Sequence, residues 1–366
     1  MIHFAIGTKA QFIKMAPLMH LLQTQGRRYH LLDLSQHGGL TGRILSDFDL
    51  APTITRLRDD KRSVETYLQA ALWLGHGFRH VLSRRTTVKR RLFLDHDGVV
   101  LLHGDTLSTL MGLHLARAAG LPTALVEAGL TSERLLDPFP EEAIRRYVSA
   151  RTDYLFAPDD TATAWLTQRR FRGETVNTSY NTGRDALDLI LARHRATSIK
   201  PASPYGVVTL HRLETLSNRA RLYRAIEHIL ALADTLGDLH FYLHPPTENA
   251  LKRIGLYDRV RRNTHLKLFG LAPYSEFVTV LNSARYILTD GGSIQEEASY
   301  LDKPCLILRN RTERRDGLNR NAIVSTWNIE QDAYHLRQAE GKLATPRTSD
   351  LRASRTILDA LRAFQA

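Results

Sequence analysis

Acidic side chains stand at the ends of two apolar stretches that have the composition of buried strands. Asp105 comes directly after "VVLLHG", and Glu127 closes "LPTALVE". A third acid, Glu141, follows Pro140 where a helix is predicted to begin, and Glu142 stands beside it. Open α/β sheets bind ligands at the carboxyl ends of their strands, so these acidic positions are predicted to converge on one site.

Carboxylates that share such a site can work as general acids and general bases, because burial and neighbouring like charges raise their pKa values. Each acid taken alone has an ordinary alternative, as a helix N-cap or as a solvated side chain on the surface. Their convergence in one place favours the chemical interpretation over that alternative.

Two cationic side chains follow "VVTL", the first apolar stretch of the second half of the chain. His211 and Arg212 stand just after it, at a predicted strand end of the same kind. Histidine can relay a proton or donate to a departing phosphate, and arginine can pair with a phosphate or an acid. The structural alternative is a histidine that only bonds a backbone carbonyl.

The stretch "LTDGGSIQEE" leads from a predicted strand into a predicted helix through Gly291 and Gly292. A helix entered in this way presents unpaired backbone N–H groups at its positive end, where an anion is stabilised. Ser293 can cap the helix or donate to a phosphate oxygen, and Glu297 one turn later can accept hydrogen bonds from two neighbouring hydroxyl groups. A tight strand-to-helix turn with capping acids is the alternative.

Further polar candidates follow the first two predicted strands. Lys9 and Lys14 come after "IHFAIG", and Gln36 and His37 come after "YHLLDL". No G-x-G-x-x-G pattern follows the first strand, so the fingerprint of dinucleotide binding is missing there. The single cysteine, Cys305, excludes an intrachain disulfide and a cysteine metal cluster.

The elements that must position these residues alternate between strand and helix, a pattern that predicts parallel, doubly wound sheets. Residues 8–25 are predicted to be helical, with Pro17 as a start or a kink. Residues 53–91 are predicted to be helical and basic, and a polar joint at 192–204 precedes a second alternating series.

We therefore predict an α/β protein of two similar domains that face one another across a cleft. A chain of 366 residues is long enough for two cores. The first predicted domain covers residues 1–190 and carries the catalytic acids, and a C-terminal helix at 350–366 crosses back to complete it. The second predicted domain covers residues 191–349.

Composition limits the class of protein. Hydrophobic residues make up 43% and charged residues 24%, the ordinary proportions of a globular protein in water. No apolar run approaches the roughly 20 residues of a membrane-spanning helix, and the first residues lack the pattern of a signal peptide. We therefore predict a cytoplasmic protein without membrane insertion.

The formal net charge of +12 is compatible with nucleic acid, an anionic membrane surface or an anionic substrate as the partner. The densest basic run is "RRTTVKRR" at 84–91, which is predicted to be a solvated helix end or loop. No helix-turn-helix, zinc-finger or RNA-recognition pattern accompanies it, so a nucleic-acid partner is not predicted. A phosphate-bearing small molecule suits the same charge.

In their order along the chain, these motifs resemble those of the non-hydrolysing UDP-N-acetylglucosamine 2-epimerase family. The opening "GTKAQFIKMAPL" resembles the family's G-T-R-P-E-x-I-K-M-A-P, and "SQHGGL" resembles its Q-H motif. Five further stretches match in the same order, namely "LHGDT", "VEAGL", "PEEAIRR", "LHRLE" and "DGGSIQEEASYLDKPCLILRNRTER". The matching region covers most of the chain, from residue 7 to about residue 314.

The resemblance implies two Rossmann-like domains of the glycosyltransferase-B type, the second of which binds UDP. It also implies a homodimer and no metal or other cofactor. It implies inversion at carbon 2 of a UDP-sugar through loss of UDP, a bound 2-acetamidoglucal and return of UDP. By carry-over, Asp105, Glu127 and Glu141 are the acid–base residues, and His211 assists the departing diphosphate. The residues implied for UDP-sugar binding are Lys9, Lys14, Gln36, His37, Arg212, Gly291, Gly292, Ser293, Glu297 and Arg314, with Glu297 on the ribose.

Several positions depart from the family pattern. Lys9 and Gln11 replace the arginine and glutamate of G-T-R-P-E, and the serine of D-S-G-G has moved by two positions to Ser293. The other departures are Gly38 and Gly39 after the Q-H pair, Thr131, Leu213 and Arg315. Because several fall near where the family binds a second UDP-sugar as activator, we predict that this activator site is lost or altered.

Two alternatives stay open at the level of the sequence. The chain could epimerise a different UDP-sugar, or it could be a glycosyltransferase on the same scaffold, since a fold does not determine a function. Retention of Asp105, Glu127, Glu141 and His211 together favours the epimerase, because a transferase would not need all three acids. The family also suggests a role in making precursors of surface polysaccharides.

Overall fold

The structure is a computed structural model that describes residues 1–36, 41–58, 67–132, 140–194, 203–312, 314–338 and 350–364. The chain divides into two compact units. The first consists of Met1–Leu189 with Ser349–Ala366, and the second of Ile190–Thr348. No helix in the described part of the chain has the length and apolar character needed to cross a membrane.

The first unit is built on seven parallel strands. They are β1 Ile2–Ile6, β2 Tyr29–Asp33, β3 Thr53–Arg56, β4 Val99–His103, β5 Thr123–Val126, β6 Tyr154–Ala157 and β7 Glu174–Asn177. Their order in the sheet is β3-β2-β1-β4-β5-β6-β7. Every residue of the strands β1 and β4 is buried, which explains why both are mostly apolar.

Eight helices lie between or directly after these strands in the described residues up to His194. They are α1 Lys9–Thr24, α2 Thr41–Asp47, α3 Tyr67–Val81, α4 Arg85–Leu92, α5 Leu107–Ala119, α6 Glu141–Ser149, α7 Asp160–Gln168 and α8 Thr182–His194. The basic run at 84–91 forms the N-cap and most of α4. Arg84, Arg85, Arg90 and Arg91 are exposed, so the run is solvated as predicted but lies along a helix and not in a loop.

The second unit repeats this plan with six parallel strands. They are β8 Gly206–Thr209, β9 Leu239–Tyr242, β10 Leu266–Phe269, β11 Ile287–Thr289, β12 Cys305–Ile307 and β13 Ala322–Val324, in the order β10-β9-β8-β11-β12-β13. Its helices are α9 Leu213–Leu216, α10 Arg219–Leu236, α11 Pro245–Ile254, α12 Tyr257–Arg262, α13 Tyr274–Ser283, α14 Gly292–Tyr300 and α15 Ile329–Gln338. The two parallel sheets with interleaved helices confirm the predicted α/β class.

The last helix, α16 Arg352–Ala360, belongs to the first unit and is followed by a 3-10 turn at Arg362–Phe364. It packs against α1. Asp185 on α8 accepts hydrogen bonds from the backbone N–H of Ser354 at 2.7 Å and from its hydroxyl at 2.6 Å. These two bonds tie the start of α16 to α8, and burial raises the pKa of Asp185.

The structure corrects three predictions of secondary structure. Residues 53–91 are not helical throughout, because Thr53–Arg56 forms β3 at the edge of the sheet. Helix α1 does not start at Pro17, because Thr8 and Gln11 form a capping box that sets its beginning at Lys9. The predicted joint at 192–204 is helical up to His194, and residues 195–202 lie outside the described residues.

A pair of buried histidines links the neighbouring strands β1 and β2 of the first sheet. His3 on β1 lies opposite His30 on β2, and their Nδ1 atoms are 3.1 Å apart. The hydrogen bond between them requires one ring to donate and the other to accept, so the accepting Nδ1 atom carries no proton. Burial lowers the pKa of His3 to about 3 and that of His30 to about 4.

We predict that this pair makes the first unit sensitive to acid. Histidines in the unfolded chain take up protons near pH 6.5. In the folded state, His30 stays neutral down to about pH 4 and His3 down to about pH 3. The free energy of unfolding should therefore fall as the pH drops below 6.5, by about 2 kcal/mol for each histidine between pH 7 and pH 5.

Urea denaturation at the two pH values measures this effect. A variant carrying His3→Gln and His30→Gln should lose much of the pH dependence, whereas His265→Gln, which replaces an exposed histidine, should keep it. Equal pH dependence in the double variant and the unmodified protein would contradict the prediction.

Candidate functional site

Two of the predicted site residues, Asp105 and His211, lie beside the points where the strand order reverses in each sheet. In the first unit this point lies between β1 and β4, and in the second between β8 and β11. Loops on either side of such a point diverge and leave room for a ligand at the carboxyl ends of the strands. Asp105 and His211 follow β4 and β8 by two residues each.

In the first unit, donors converge on the carboxylate of Glu127, which is almost completely buried. Its Oε2 atom is bonded by Lys14 Nζ and by the side-chain amide of Asn181, and His103 Nε2 lies 3.6 Å from the same atom. The amide of Asn181 is itself fixed, because its Oδ1 accepts from the backbone N–H of Gly183 at 2.9 Å. The carboxylate of Glu127 is therefore held in one orientation.

The backbone of Glu127 is also unusual, with a φ of 64°. This left-handed conformation is uncommon for a residue other than glycine and costs on the order of 1–3 kcal/mol. The bonds that the side chain makes to Lys14 and Asn181 keep the residue in this conformation. Strain of this kind is concentrated at functional sites, which adds weight to the prediction for Glu127.

Asp105 is linked to a second buried acid through Arg145 on α6. Arg145 bonds Asp105 Oδ2 through Nη2 and Glu142 Oε2 through Nη1, the latter at 2.6 Å. Glu142 is fully buried and also accepts hydrogen bonds from Thr131 Oγ1 at 2.7 Å and Arg146 Nε at 2.8 Å. Burial acts to raise the pKa of Glu142, but these hydrogen bonds and the charge of Arg145 outweigh it and hold the pKa below its ordinary value.

The neighbouring acids Glu141 and Glu142 therefore differ sharply in their surroundings. Glu142 anchors an ion-pair network, whereas Glu141 stands at the first position of α6 and is partly exposed. Its Oε2 atom is buried and has no hydrogen-bond partner among the residues that the structure describes. The acid–base role of Glu141 stays a prediction, and the Oε2 atom without a described partner supports it.

Gln11 organises the ends of β1 and β4. Its Oε1 accepts from the backbone N–H groups of Gly7 at 2.9 Å and Thr8 at 3.1 Å and from the Ser108 hydroxyl at 2.9 Å. Its Nε2 donates to the carbonyl oxygen of His103 at 2.8 Å. An amide suits this place because it accepts on one side and donates on the other, whereas a carboxylate would face the His103 carbonyl oxygen without a proton.

The other candidates of the first unit are less closely joined to this cluster. Lys9 is the first residue of α1 and is partly exposed. Gln36 accepts a hydrogen bond from the backbone N–H of Ser108 at 3.2 Å, which brings it to the start of α5. His37 lies outside the described residues.

In the second unit, a buried carboxylate holds the loop that carries His211 and Arg212. Asp290 is completely buried, and its Oδ1 accepts from the backbone N–H of His211 at 2.9 Å. Its Oδ2 accepts from the backbone N–H of Arg212 at 3.1 Å. The imidazole of His211 is one-third exposed, with a side-chain exposure of 33%, and its ring centre lies 5.1 Å from that of His244.

The glycine turn leads into α14 as predicted, but Ser293 does not cap the helix. The N-cap is Gly291, which has no side chain to form a cap bond, and Ser293 is an exposed residue of the first turn. The backbone N–H of Gly291 donates to Thr289 Oγ1 at 2.9 Å. Of the two roles considered for Ser293, capping is therefore wrong, and donation to a phosphate oxygen stays a prediction.

Arg314 lies beside this turn. Its Nη1 donates to the buried Glu296 Oε1 at 3.2 Å, and a Cβ atom built on Gly292 would lie 3.1 Å from its Cγ. Gln295 donates to the carbonyl oxygen of Arg314 at 3.1 Å and so fixes its backbone. Glu297, the predicted ribose ligand, is partly exposed on the same helix.

Sequence reasoning missed the residues that hold these candidates in place. Asn181, Arg145 and Asp290 are the clearest examples, since each bonds directly to a predicted residue or its loop. A polar residue at a strand end was the available signal for Asp290, which directly follows β11. No local signal connects Asn181 to Glu127, because the two are separated by 54 positions in the chain.

Comparison with known proteins identifies relatives across most of the chain. The model of a family described as UDP-N-acetylglucosamine 2-epimerase matches residues 86–361. A UDP-N-acetylglucosamine 2-epimerase from Methanocaldococcus jannaschii is 28% identical over 331 residues, which cover 87% of this chain and 86% of the relative.

Solved structures agree with this result. The M. jannaschii UDP-GlcNAc 2-epimerase in complex with UDP-GlcNAc and UDP matches with a TM-score of 0.80 and 25% identity, over 99% of both chains. The enzyme from Neisseria meningitidis bound to UDP-GlcNAc matches with the same TM-score of 0.80, identity of 25% and coverage of 99% of each chain.

The contrast between Glu141 and Glu142 predicts different effects on stability. Glu142→Gln removes the charge that neutralises Arg145 and Arg146, and it should lower the free energy of unfolding by about 3 kcal/mol. Glu141→Gln removes a carboxylate without a described partner for Oε2, and it should change that free energy by less than about 0.5 kcal/mol. Urea denaturation of both variants tests this, and equal losses would show that the two acids are equivalent.

Proposed function

The chain belongs to the UDP-N-acetylglucosamine 2-epimerase family, and we propose that it interconverts UDP-GlcNAc and UDP-ManNAc by eliminating UDP and adding it back. Membership of this family makes it an enzyme, an isomerase that acts on a nucleotide sugar. The two solved relatives described above bind UDP-GlcNAc, which supports the same substrate here.

The proposed reaction breaks two bonds of the UDP-sugar in its first half and forms two bonds in its second half. A base removes the proton on carbon 2, a double bond forms between carbons 1 and 2, and UDP leaves carbon 1 with the bonding electrons. In the second half, an acid protonates carbon 2 on its other face, and the UDP oxygen bonds to carbon 1 again. The protein must therefore supply acid–base groups and stabilise a departing diphosphate.

We assign the acid–base work to Asp105, Glu127 and Glu141 of the first unit. The observation that carries the proposal is the Glu127 carboxylate, which is buried, strained in its backbone and held by Lys14 and Asn181. A carboxylate held in one orientation suits proton transfer, because the rate depends on the position of the base relative to the carbon-bound proton. Asp105 is held in the same way through Arg145.

We assign the diphosphate to the second unit. The two glycines open the N-terminal turn of α14 to close approach, and helix N-termini stabilise anions. Arg212 and Arg314 lie beside that turn, 3.6 Å and 3.1 Å from a Cβ atom built on Gly292. His211 assists the departing diphosphate, and the remaining proposed contacts to the UDP-sugar are made by Lys9, Gln36, His37, Ser293 and, on the ribose, Glu297.

A homodimer, a cytoplasmic location and a role in surface polysaccharide synthesis stay predictions. Epimerisation of another UDP-sugar and a glycosyltransferase activity are the competing functions. The three acids of the first unit favour epimerisation, because moving a proton between two faces of a carbon needs more than one acid–base group.

The proposal predicts that deuterium enters carbon 2 of the sugar. Proton NMR of UDP-GlcNAc incubated with the enzyme in deuterated water should show loss of the carbon 2 proton signal and accumulation of UDP-ManNAc. Glu127→Gln, Asp105→Asn and Glu141→Gln should each slow both events by at least about 100-fold, because each removes a group proposed for proton transfer.

Binding of UDP separates this proposal from its alternatives. Saturable UDP binding without exchange or a new sugar would point to another UDP-sugar or to a transferase. Exchange that persists at the normal rate in all three acid variants would remove them from the mechanism.

The departures from the family pattern near its activator site predict hyperbolic kinetics without an activator. Thr131 is bonded to Glu142 Oε1 at 2.7 Å, Leu213 is 75% exposed at the start of α9, and Arg315 is exposed. The family pattern has arginine at the positions of Thr131 and Leu213 and proline at that of Arg315, so two guanidinium groups of the pattern are missing. Initial rates from UDP-ManNAc should therefore be hyperbolic without added UDP-GlcNAc. Rates that are sigmoidal, and that vanish unless UDP-GlcNAc is present, would show that the activator site survives.

A further inference from the structure

Asp290 occupies an unusual place for a charged side chain. It directly follows β11, the neighbour of β8 in the second sheet, and it is completely buried. Burying a carboxylate is costly unless donors satisfy it, and here two backbone N–H groups do so. Both belong to the loop after β8, at His211 and Arg212.

This arrangement controls the histidine through its backbone. His211 Nδ1 lies 3.8 Å from Asp290 Oδ1, which is too far for a hydrogen bond. The carboxylate therefore fixes the path of the loop and the direction in which the side chain leaves it. The ring itself must be placed by its other neighbours.

Gly291 is the neighbour that leaves space for the ring. A Cβ atom built on Gly291 would overlap Cε1 of the imidazole and would lie 2.8 Å from its Nε2. Real Cβ atoms do not approach other atoms this closely, so any side chain at 291 would force the ring to move. The imidazole occupies the space beside the backbone that a side chain would otherwise fill.

The position of this glycine is also one of the departures from the family pattern. D-S-G-G would place a serine at 291, whereas here the serine stands at Ser293, in the first turn of α14. The exchange removes an obstacle next to His211 and keeps a hydroxyl group near the helix N-terminus.

We propose that Asp290 and Gly291 are positioning residues for His211: the carboxylate sets the loop, and the missing side chain gives the imidazole its place beside the N-terminus of α14. The inference rests on the proposed function only in what the ring does there, which is to assist the departing diphosphate. The position of the ring itself follows from the contacts described above.

Gly291→Ser tests this inference. The displaced ring should lower kcat by about 100-fold, because displacing a catalytic group by about 1 Å has an effect of that order. KM should rise by a smaller factor than kcat falls, because Gly291 is only one of the groups proposed to hold the diphosphate and Arg212 and Arg314 stay in place. Gly42→Ser is the matched control. It adds the same side chain to an exposed position of α2, where a Cβ atom meets no described residue within 4 Å, and it should leave kcat unchanged.

A double-mutant cycle separates positioning from a general structural effect. If Gly291 acts through His211, then Gly291→Ser should have almost no further effect in a His211→Ala background. Effects that multiply in the double variant would overturn the inference. A fully active Gly291→Ser enzyme, alongside an inactive His211→Ala enzyme, would do the same.

A second measurement does not depend on turnover. The Cε1–Hε1 NMR signal of His211, assigned by its loss in His211→Ala, should shift in Gly291→Ser and in Asp290→Asn but not in Gly42→Ser. An unmoved signal would overturn the inference even if the enzyme acts on another substrate. A moved signal in an enzyme whose turnover does not depend on His211 would keep the positioning and refute the proposed role of the histidine.

Discussion

The site depends on one physical constraint, which is that a buried carboxylate must be surrounded by hydrogen-bond donors. In the first unit, Glu127 meets this requirement with Lys14 and Asn181, and Glu142 meets it with donors from α6 and the loop after β5. In the second unit, Asp290 meets it with two backbone N–H groups. These donors lie on helices and loops that also carry candidate site residues. The hydrogen bonds that satisfy each buried carboxylate therefore also fix the position of those helices and loops.

The same constraint separates acids that hold the structure from acids that are available for chemistry. Glu142 is saturated with donors and fully buried, which leaves it no capacity to exchange a proton with a substrate. Glu141, its neighbour in the chain, is partly exposed and has a buried oxygen without a partner among the described residues. A position at the start of a helix thus supplies both kinds of acid, because successive side chains of a helix point about 100° apart.

Backbone geometry contributes a second kind of control. Glu127 adopts a left-handed conformation that is costly for its residue type, and Gly291 is placed where any side chain would displace His211. At Glu127 the strained backbone lowers local stability, and at Gly291 side-chain contacts are missing. In both cases the backbone sets the direction of a candidate reactive group. The strand order reverses at the corresponding point in both sheets, but the two units position their candidate residues differently. The first unit uses an ion-paired, strained residue, and the second uses a missing side chain.

The sequence by itself determined the class of fold, the central strands and the positions of the motifs. Strands that are buried on both faces, such as β1 and β4, are mostly apolar, and helix-opening glycines are visible without a structure. Edge strands such as β3 and β7 carry polar residues, so the sequence alone did not identify them. Only the tertiary structure decided which acid is an anchor and which residues support the others, because contacts such as that of Asn181 with Glu127 join distant parts of the chain and leave no local pattern.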